Sequence, residues 1–129
     1  DRYEELIATL GGVDFQLLGL GENGHIAFNE PGTAAQSRTH QQLLAPKTRS
    51  ANSRFFDSLD EVPTHALTQG IATIAKAKKI VLLALGESKA EAVANAVSAD
   101  ISEQVPASLL RDHRDFLIVA DRLAGAGLS

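Results

Sequence analysis

A short apolar run passes directly into a glycine-rich loop in the segment FQLLGLGENGH, residues 15 to 25. A brief, mostly apolar run that is bounded by turn residues is typical of a buried strand. Glycine and asparagine tolerate a positive φ, so the chain can turn sharply immediately after such a strand. The segment therefore predicts a buried strand from Phe15 to Leu20 and a tight loop from Gly21 to Gly24.

The same strand-and-turn pattern recurs twice. IVLLAL, Ile80 to Leu85, precedes a glycine turn and then apolar residues on one helical face, and FLIVA, Phe116 to Ala120, follows a short helical segment from Pro106 to His113. Continuous apolar strands that alternate with helices indicate parallel pairing with both sheet faces buried. The predicted class is α/β, with a Rossmann-like three-layer arrangement around a parallel sheet.

Other segments give weaker patterns. Asp1 and Glu4 occupy capping-box positions ahead of apolar residues at helical spacing, and Gly11 ends that pattern. The further predictions are a helix over residues 3–10, a strand over residues 40–44, and helices over residues 48–56 and 66–77. No repeat or linker divides the chain, so we expect residues 1–129 to form part of one domain.

Composition restricts the classes of function. The chain carries 12 Lys and Arg against 16 Asp and Glu, a net charge of −4. It therefore has no excess of positive charge with which to bind the phosphates of a nucleic acid. It contains no cysteine and therefore no disulfide or thiolate metal site. No apolar run approaches the roughly 18 residues of a membrane span. We expect a cytoplasmic globular protein with no nucleic-acid or membrane partner.

The loop after the first strand carries the residues suited to catalysis. In open parallel sheets, ligands bind beyond the carboxyl ends of the strands, so this loop should share a rim with those after Leu85 and Ala120. His25 can exchange protons near neutral pH, and Glu30 can orient it or stabilise its charge. General acid/base chemistry on a small polar molecule is one interpretation. The spacing of these residues is also compatible with an ordinary turn that contains an isolated histidine without a catalytic role.

Longer blocks of sequence carry a resemblance to a known family. GLGENGHIAFNEPGT, SRTH at residues 37–40, ANSRFFD at 51–57, VPTHALTQGIATI, LLALGESKAEAV and VPASLLRDH occur in that order. Together they closely resemble the glucosamine-6-phosphate deaminase (isomerase) family along essentially the whole chain. The resemblance implies conversion of glucosamine 6-phosphate to fructose 6-phosphate and ammonia by a hydrolase acting on amino sugars, with no cofactor and no metal.

The resemblance also implies the catalytic residues. His25 matches the histidine that assists opening of the sugar ring, and Glu30 matches the carboxylate that tunes it. Many members carry aspartate where Asn23 stands. Because asparagine holds no charge, we expect His25 to depend on Glu30 alone for electrostatic support. Asn23 is retained as a third candidate catalytic residue.

The binding residues implied by the family are two cations and two glycines. Arg54 and Lys89 match the ligands of the substrate phosphate, and Gly21 and Gly24 belong to the substrate loop. A guanidinium can hold phosphate oxygens through paired donors, and an ammonium adds a compact charge. Without the resemblance, a surface arginine and a solvated lysine would be the simpler interpretation.

Two elements of the family are absent from this sequence: its phosphate loop and the aspartate that abstracts the C2 proton, both in the amino-terminal half. The chain also has no methionine. We therefore expect a carboxyl-terminal half that needs the amino-terminal half as a partner and is inactive alone. Phe15 to Leu20 should then be an interior strand that has lost a neighbour and exposes backbone donors and apolar surface. Family members assemble as monomers or hexamers, so a homo-oligomer is an open alternative.

Activation by an amino-sugar phosphate, which some members show, uses basic residues just after the SRT segment. This chain has His40, Gln41 and Gln42 there, so we predict no such activation. His40, His65 and His113 lack metal-site spacing, and we expect surface or helix-end positions for them.

Two rival functions stay open. A 6-phosphogluconolactonase-type hydrolase shares the fold and the glycine–histidine loop but lacks the IAFNEP segment that contains Glu30. A sugar-phosphate sensor without turnover would keep Arg54 and Lys89 but would have no need for His25.

Overall fold

The computed structural model describes residues 1–128. Five strands and four α-helices alternate with short 3₁₀ turns. The strands are β1 (Phe15–Gly19), β2 (His40–Leu43), β3 (His65–Thr68), β4 (Lys79–Ala84) and β5 (Phe116–Ala120). The helices are α1 (Arg2–Thr9), α2 (Pro46–Asn52), α3 (Ile71–Ala75) and α4 (Ala90–Ser98). The strand, turn and helix pattern predicted around Ile80 is confirmed by β4 and α4.

The main sheet is parallel, in the order β1-β4-β5. Leu18 pairs with Leu82 and Leu82 pairs with Ile118, so one side chain from each strand lies in the same row. Leu18 and Leu82 are buried on the side where the core forms, together with Ile74 of α3 and Val93 of α4. The parallel α/β class predicted from the sequence is confirmed, and the loops after the strands meet at one rim.

The opposite face of this sheet is not covered by residues 1–128. Leu17, Val81 and Leu117 form a row on that face, and Leu17 is 59% exposed. The prediction that both faces are buried is therefore wrong for the described chain, which provides two of the expected three layers. The expected exposure of apolar surface along Phe15 to Leu20, at an edge strand, is confirmed. A parallel sheet with one bare apolar face is unusual, because the βαβ crossovers of such sheets normally cover both faces.

A second sheet pairs β2 with β3 in antiparallel order, with His40 opposite Thr68. The predicted helix over residues 66–77 is wrong at its start, because residues 65–68 pair with β2 and the helix begins only at Ile71. Gly70 separates the two elements. A Cβ there would lie 2.2 Å from the carbonyl oxygen of Ser37, so only glycine allows this close approach.

Glu4 is the buried residue of α1, although apolar residues were expected to make its inner face. The Glu4 side chain does not form a capping box: it accepts from the Thr39 backbone N–H at 2.9 Å and from the Thr73 hydroxyl at 2.5 Å. Asp1 makes no side-chain capping bond either. Tyr3, Leu6 and Leu10 are instead exposed. Helix α1 is thus held to the loop before β2 and to α3 through one carboxylate.

Among residues 1–128, every helix is too short or too polar to cross a bilayer.

Candidate active site

A cavity of about 260 Å³ opens at the carboxyl end of β1, between the glycine loop, α2 and the turn that precedes α4. The residues predicted for the site come from all three segments. The cavity is lined by Gly19, Leu20, Gly21, Glu22, Asn23, His25, Ala27, Lys47, Thr48, Ala51, Asn52, Arg54 and Lys89. Glu30 lies behind this lining and is 5% exposed. Residues far apart in the sequence are thereby brought to one opening.

Gly21 and Gly24 are needed in the loop for different physical reasons. A Cβ on Gly21 would lie 2.0 Å from Nδ1 of His25, so the imidazole packs directly against the glycine backbone. Gly24 has a φ of +85° and lies beside Val105, away from the cavity lining. Gly21 therefore makes room for the histidine ring, whereas Gly24 allows the turn.

His25, Asn23 and Glu30 form a hydrogen-bonded series. Asn23 Nδ2 donates to Glu30 Oε2 at 2.8 Å, and Asn23 Oδ1 lies 2.6 Å from Nδ1 of His25. The direct separation of His25 Nδ1 and Glu30 Oε2 is 3.9 Å. Glu30 is the group whose charge raises the pKa of His25, as expected, and the neutral amide of Asn23 lies between the two side chains and contacts both.

This series fixes the tautomer of the imidazole. An ionised carboxylate only accepts, so the amide nitrogen of Asn23 must face Glu30 and its oxygen must face His25. Oδ1 also accepts from the His25 backbone N–H at 3.2 Å. Nδ1 of the ring therefore carries the hydrogen, and Nε2 of neutral His25 keeps its lone pair free.

Burial and two opposing charges set the protonation of His25. Burial lowers the pKa of His25, the Glu30 carboxylate raises it, and the Lys89 ammonium lowers it, with a net fall below the ordinary value of 6.5. The neutral imidazole is therefore the dominant form at pH 7. A neutral ring with a free Nε2 is the form that can accept a proton.

Arg54 and Lys89 reach the cavity from different elements. Arg54 lies in the 3₁₀ turn Ser53–Phe55 that continues α2, and Lys89 ends the turn Glu87–Lys89 before α4. Asp121, at the end of β5, supports the second turn by accepting from the Gly86 N–H at 3.1 Å. The hydrogen bonds from Ala124 N–H and Gly86 N–H lower the pKa of Asp121. Its observed contacts are thus with loop backbone.

Several residues of the cavity lining were not predicted from the sequence. Glu22 and Lys47, which both line the cavity, form an ion pair of 3.3 Å. The Thr48 hydroxyl is buried with no hydrogen-bond partner inside residues 1–128. Pro46 at the first turn of α2 was the available signal, because it places the next two residues on a helix start. Nothing local indicated that this helix would face the glycine loop.

Ala27 has a φ of +50°, which is uncommon for a residue with a side chain. Asn29 holds the turn by donating from Nδ2 to the Ile26 carbonyl at 3.0 Å and to the Gln69 carbonyl at 2.8 Å. The left-handed residue thus lines the cavity in a turn that a buried amide secures.

No cluster of three or more metal-ligating side chains occurs within residues 1–128. His113 instead has Nε2 2.7 Å from the Ala77 carbonyl oxygen, and His40 has Nε2 3.0 Å from Oε1 of Gln42. Neither of these two histidines lines the cavity.

Comparisons with known proteins agree with one another. A family model described as glucosamine-6-phosphate isomerases/6-phosphogluconolactonase matches residues 1–119. Glucosamine-6-phosphate deaminase of Bacillus pumilus and glucosamine-6-phosphate deaminase 1 of Bacillus subtilis are each 54% identical over 97% of this chain. The chain covers 52% of each, and so spans about half the length of these curated relatives.

Among solved structures, a glucosamine-6-phosphate deaminase is more similar to this chain than a 6-phosphogluconolactonase is. A monomeric glucosamine-6-phosphate deaminase superposes with a TM-score of 0.95 at 53% identity, over 98% of this chain and 52% of that one. A 6-phosphogluconolactonase from Trypanosoma cruzi superposes with a TM-score of 0.74 at 25% identity, over 100% of this chain and 50% of that one. The similarity to the deaminase is much greater.

Proposed function

The chain belongs to the glucosamine-6-phosphate isomerase/6-phosphogluconolactonase family, and we propose that the complete enzyme converts glucosamine 6-phosphate to fructose 6-phosphate and ammonia. The relatives support an enzyme of sugar-phosphate metabolism that isomerises and deaminates. The label hydrolase, expected from the sequence, has no support in their names. The observation that carries the proposal is the His25–Asn23–Glu30 series in a cavity that also holds Arg54 and Lys89.

His25 is the proposed proton carrier for ring opening. Opening a pyranose takes a proton from the anomeric hydroxyl and delivers a proton to the ring oxygen. A neutral imidazole nitrogen can accept the proton of the hydroxyl and, once protonated, can donate it to the ring oxygen. Nε2 is the free nitrogen for this task, because Nδ1 donates to Asn23. Glu30 holds the Asn23 amide and favours the protonated ring once it forms.

Arg54 and Lys89 are the proposed ligands of the substrate phosphate. A dianion attracts both cations, and the arginine adds paired donors at fixed spacing. Gly21 shapes the substrate loop from within the cavity lining, and Gly24 allows the turn of that loop outside the lining. A cavity of about 260 Å³ is of the order expected for a monosaccharide phosphate.

The bare sheet face supports the proposal that residues 1–129 are part of a larger sugar-phosphate domain. Phe15, Leu17, Leu83, Leu117 and Val119 are all 38% or more exposed there. Apolar area of this kind normally meets a partner surface. We assign that partner to an amino-terminal half that also supplies the proton-abstracting carboxylate, so that residues 1–129 alone are inactive.

A monomer is favoured over the homo-oligomer, because the solved relative with a TM-score of 0.95 is monomeric. A cytoplasmic location is part of the proposal, since a phosphorylated sugar is charged and does not cross a bilayer unaided.

The test is a chimera that joins residues 1–129 to the remaining half of the Bacillus subtilis relative. We expect it to release ammonia from glucosamine 6-phosphate and no acid from 6-phosphogluconolactone. Acid release without ammonia would identify a lactonase, and phosphate binding without turnover would identify a sensor. Turnover by residues 1–129 alone would overturn the need for a partner.

A further inference from the structure

Phe55 is a large apolar side chain that lies exposed beside the candidate active site. It is 68% exposed and ends the 3₁₀ turn Ser53–Phe55, directly after Arg54. The Cζ atom of Arg54 stands 4.4 Å from the centroid of the Phe55 ring. This separation is within the range of a cation–π contact.

The stack does not follow from adjacency in the sequence. A 3₁₀ turn has three residues per turn, so neighbouring side chains leave the backbone about 120° apart. The arginine must therefore fold back to place its guanidinium over the ring. Arg54 Nη1 also donates to the carbonyl oxygen of Ala51 in α2. The guanidinium is held on one face by the ring and on one edge by the helix.

This arrangement leaves most of the arginine's donors available. Arg54 has five N–H donors, and the Ala51 carbonyl is its one hydrogen-bond acceptor within residues 1–128. The side chain lines the cavity, so its remaining edge is available to an anion there. Stacking restricts the arginine before the ligand arrives, and less conformational entropy is then lost on binding.

We propose that Phe55 is a positioning residue that holds Arg54 ready for the phosphate of the substrate. The proposal rests on the proposed function for the identity of the substrate, but the stack itself needs only an anion. An exposed cation–π contact corresponds to about a two- to fivefold change in affinity. Phe55 should therefore act on binding and leave the proton transfer at His25 unchanged.

The experiment compares Phe55→Leu with Phe55→Trp in the chimera. We expect the leucine variant to raise KM for glucosamine 6-phosphate about two- to fivefold with kcat unchanged, because leucine keeps the bulk but has no π face. Tryptophan should retain the wild-type KM. Equal losses in both variants, an unchanged KM in the leucine variant, or a fall in kcat alone would overturn the proposal.

A double-mutant cycle separates stacking from general effects of the ring. In an Arg54→Gln background, Phe55→Leu should have no further effect on KM. Leu59→Ala, which removes another exposed apolar side chain in the next turn, is the matched control and should leave KM unchanged. If Phe55→Leu raised KM as much in the Arg54→Gln background as in the wild type, the positioning role of Phe55 would be contradicted.

Titration with inorganic phosphate keeps this inference distinct from the proposed function. If the chimera releases no ammonia, the proposed function fails. Phe55→Leu must still weaken binding of inorganic phosphate about two- to fivefold, measured by calorimetry, for the positioning role to stand. Equal phosphate affinity in wild type and variant would refute it whatever the enzyme's substrate.

Discussion

Asn23 Oδ1 lies 2.6 Å from Nδ1 of His25, and this contact determines which ring nitrogen is free to act as a base. The asparagine is itself oriented by Glu30, which accepts from its amide nitrogen at 2.8 Å. A neutral residue thus connects the carboxylate to the imidazole without adding a charge. The histidine is held in one tautomer while burial keeps its pKa low.

Asn23→Asp in the chimera should move the acid limb of the kcat/KM profile to higher pH. A second carboxylate beside the ring favours the imidazolium and raises the pKa of His25, so the neutral base is lost at a higher pH than in the wild type. The pH dependence of kcat/KM and the NMR titration of the ring give the two readouts. A limb that moves to lower pH would contradict the assigned electrostatics.

Lys89→Met and Glu30→Gln should shift the protonation of His25 in opposite directions. Lys89 lowers the pKa of His25 and Glu30 raises it, so the first variant should raise this pKa and the second should lower it. Glutamine keeps an acceptor for Asn23. NMR titration of His25 measures both shifts, and shifts of the same sign would show that the two charges do not act on the ring as described.

Glu4 should make stability depend on acidity. Hydrogen bonds from Thr73, with smaller contributions from Thr39, lower the pKa of Glu4 from 4.5 to about 2. Because the folded value is the lower one, the stabilisation is complete above pH about 4.5 and is lost as the pH falls toward about 2.

Glu4→Gln should therefore lower the free energy of unfolding by about 1–3 kcal/mol at pH 7, with the difference shrinking near pH 2. Urea unfolding at several pH values measures it. Glu5→Gln, one position along and exposed, is the control and should change little. If Glu4→Gln lowered the free energy of unfolding as much at pH 2 as at pH 7, the proposed link between the Glu4 pKa and stability would be contradicted.

N-acetylglucosamine 6-phosphate should not activate the chimera. The stretch after SRT presents His40 and Gln42, which hydrogen-bond to each other at 3.0 Å and offer no fixed positive charge. The rate should depend hyperbolically on glucosamine 6-phosphate with or without this compound. A sigmoidal curve that becomes hyperbolic only on its addition would prove the prediction wrong.

The strands and their loops could be predicted because short-range signals determine them. Apolar runs that end at glycine identify β1 and β4, and the ends of parallel strands share a rim. The resemblance to the family then pointed to His25, Glu30, Arg54 and Lys89, and all four lie at or directly behind one cavity. Their roles remain proposals.

The errors arise where a distant partner overrides a local pattern. The local pattern of residues 65–68 predicts a helix, but these residues pair with β2 as a strand. The position of Glu4 predicts a capping residue, but its carboxylate accepts hydrogen bonds from Thr39 and Thr73 instead. The apolar run at Leu17 does not by itself distinguish burial on one sheet face from burial on two, and exposed apolar surface was expected there only because the family resemblance indicated a missing half. The amide bridge at Asn23 depends on side-chain geometry that no spacing rule specifies.

The central claim is that the imidazole of His25 carries the proton of ring opening, and His25→Gln in the chimera tests it most directly. Ammonia release from glucosamine 6-phosphate should fall about 10²- to 10⁴-fold, while the affinity for inorganic phosphate stays at the wild-type value. A variant that keeps its rate of ammonia release within a few-fold of the wild type would contradict the claim.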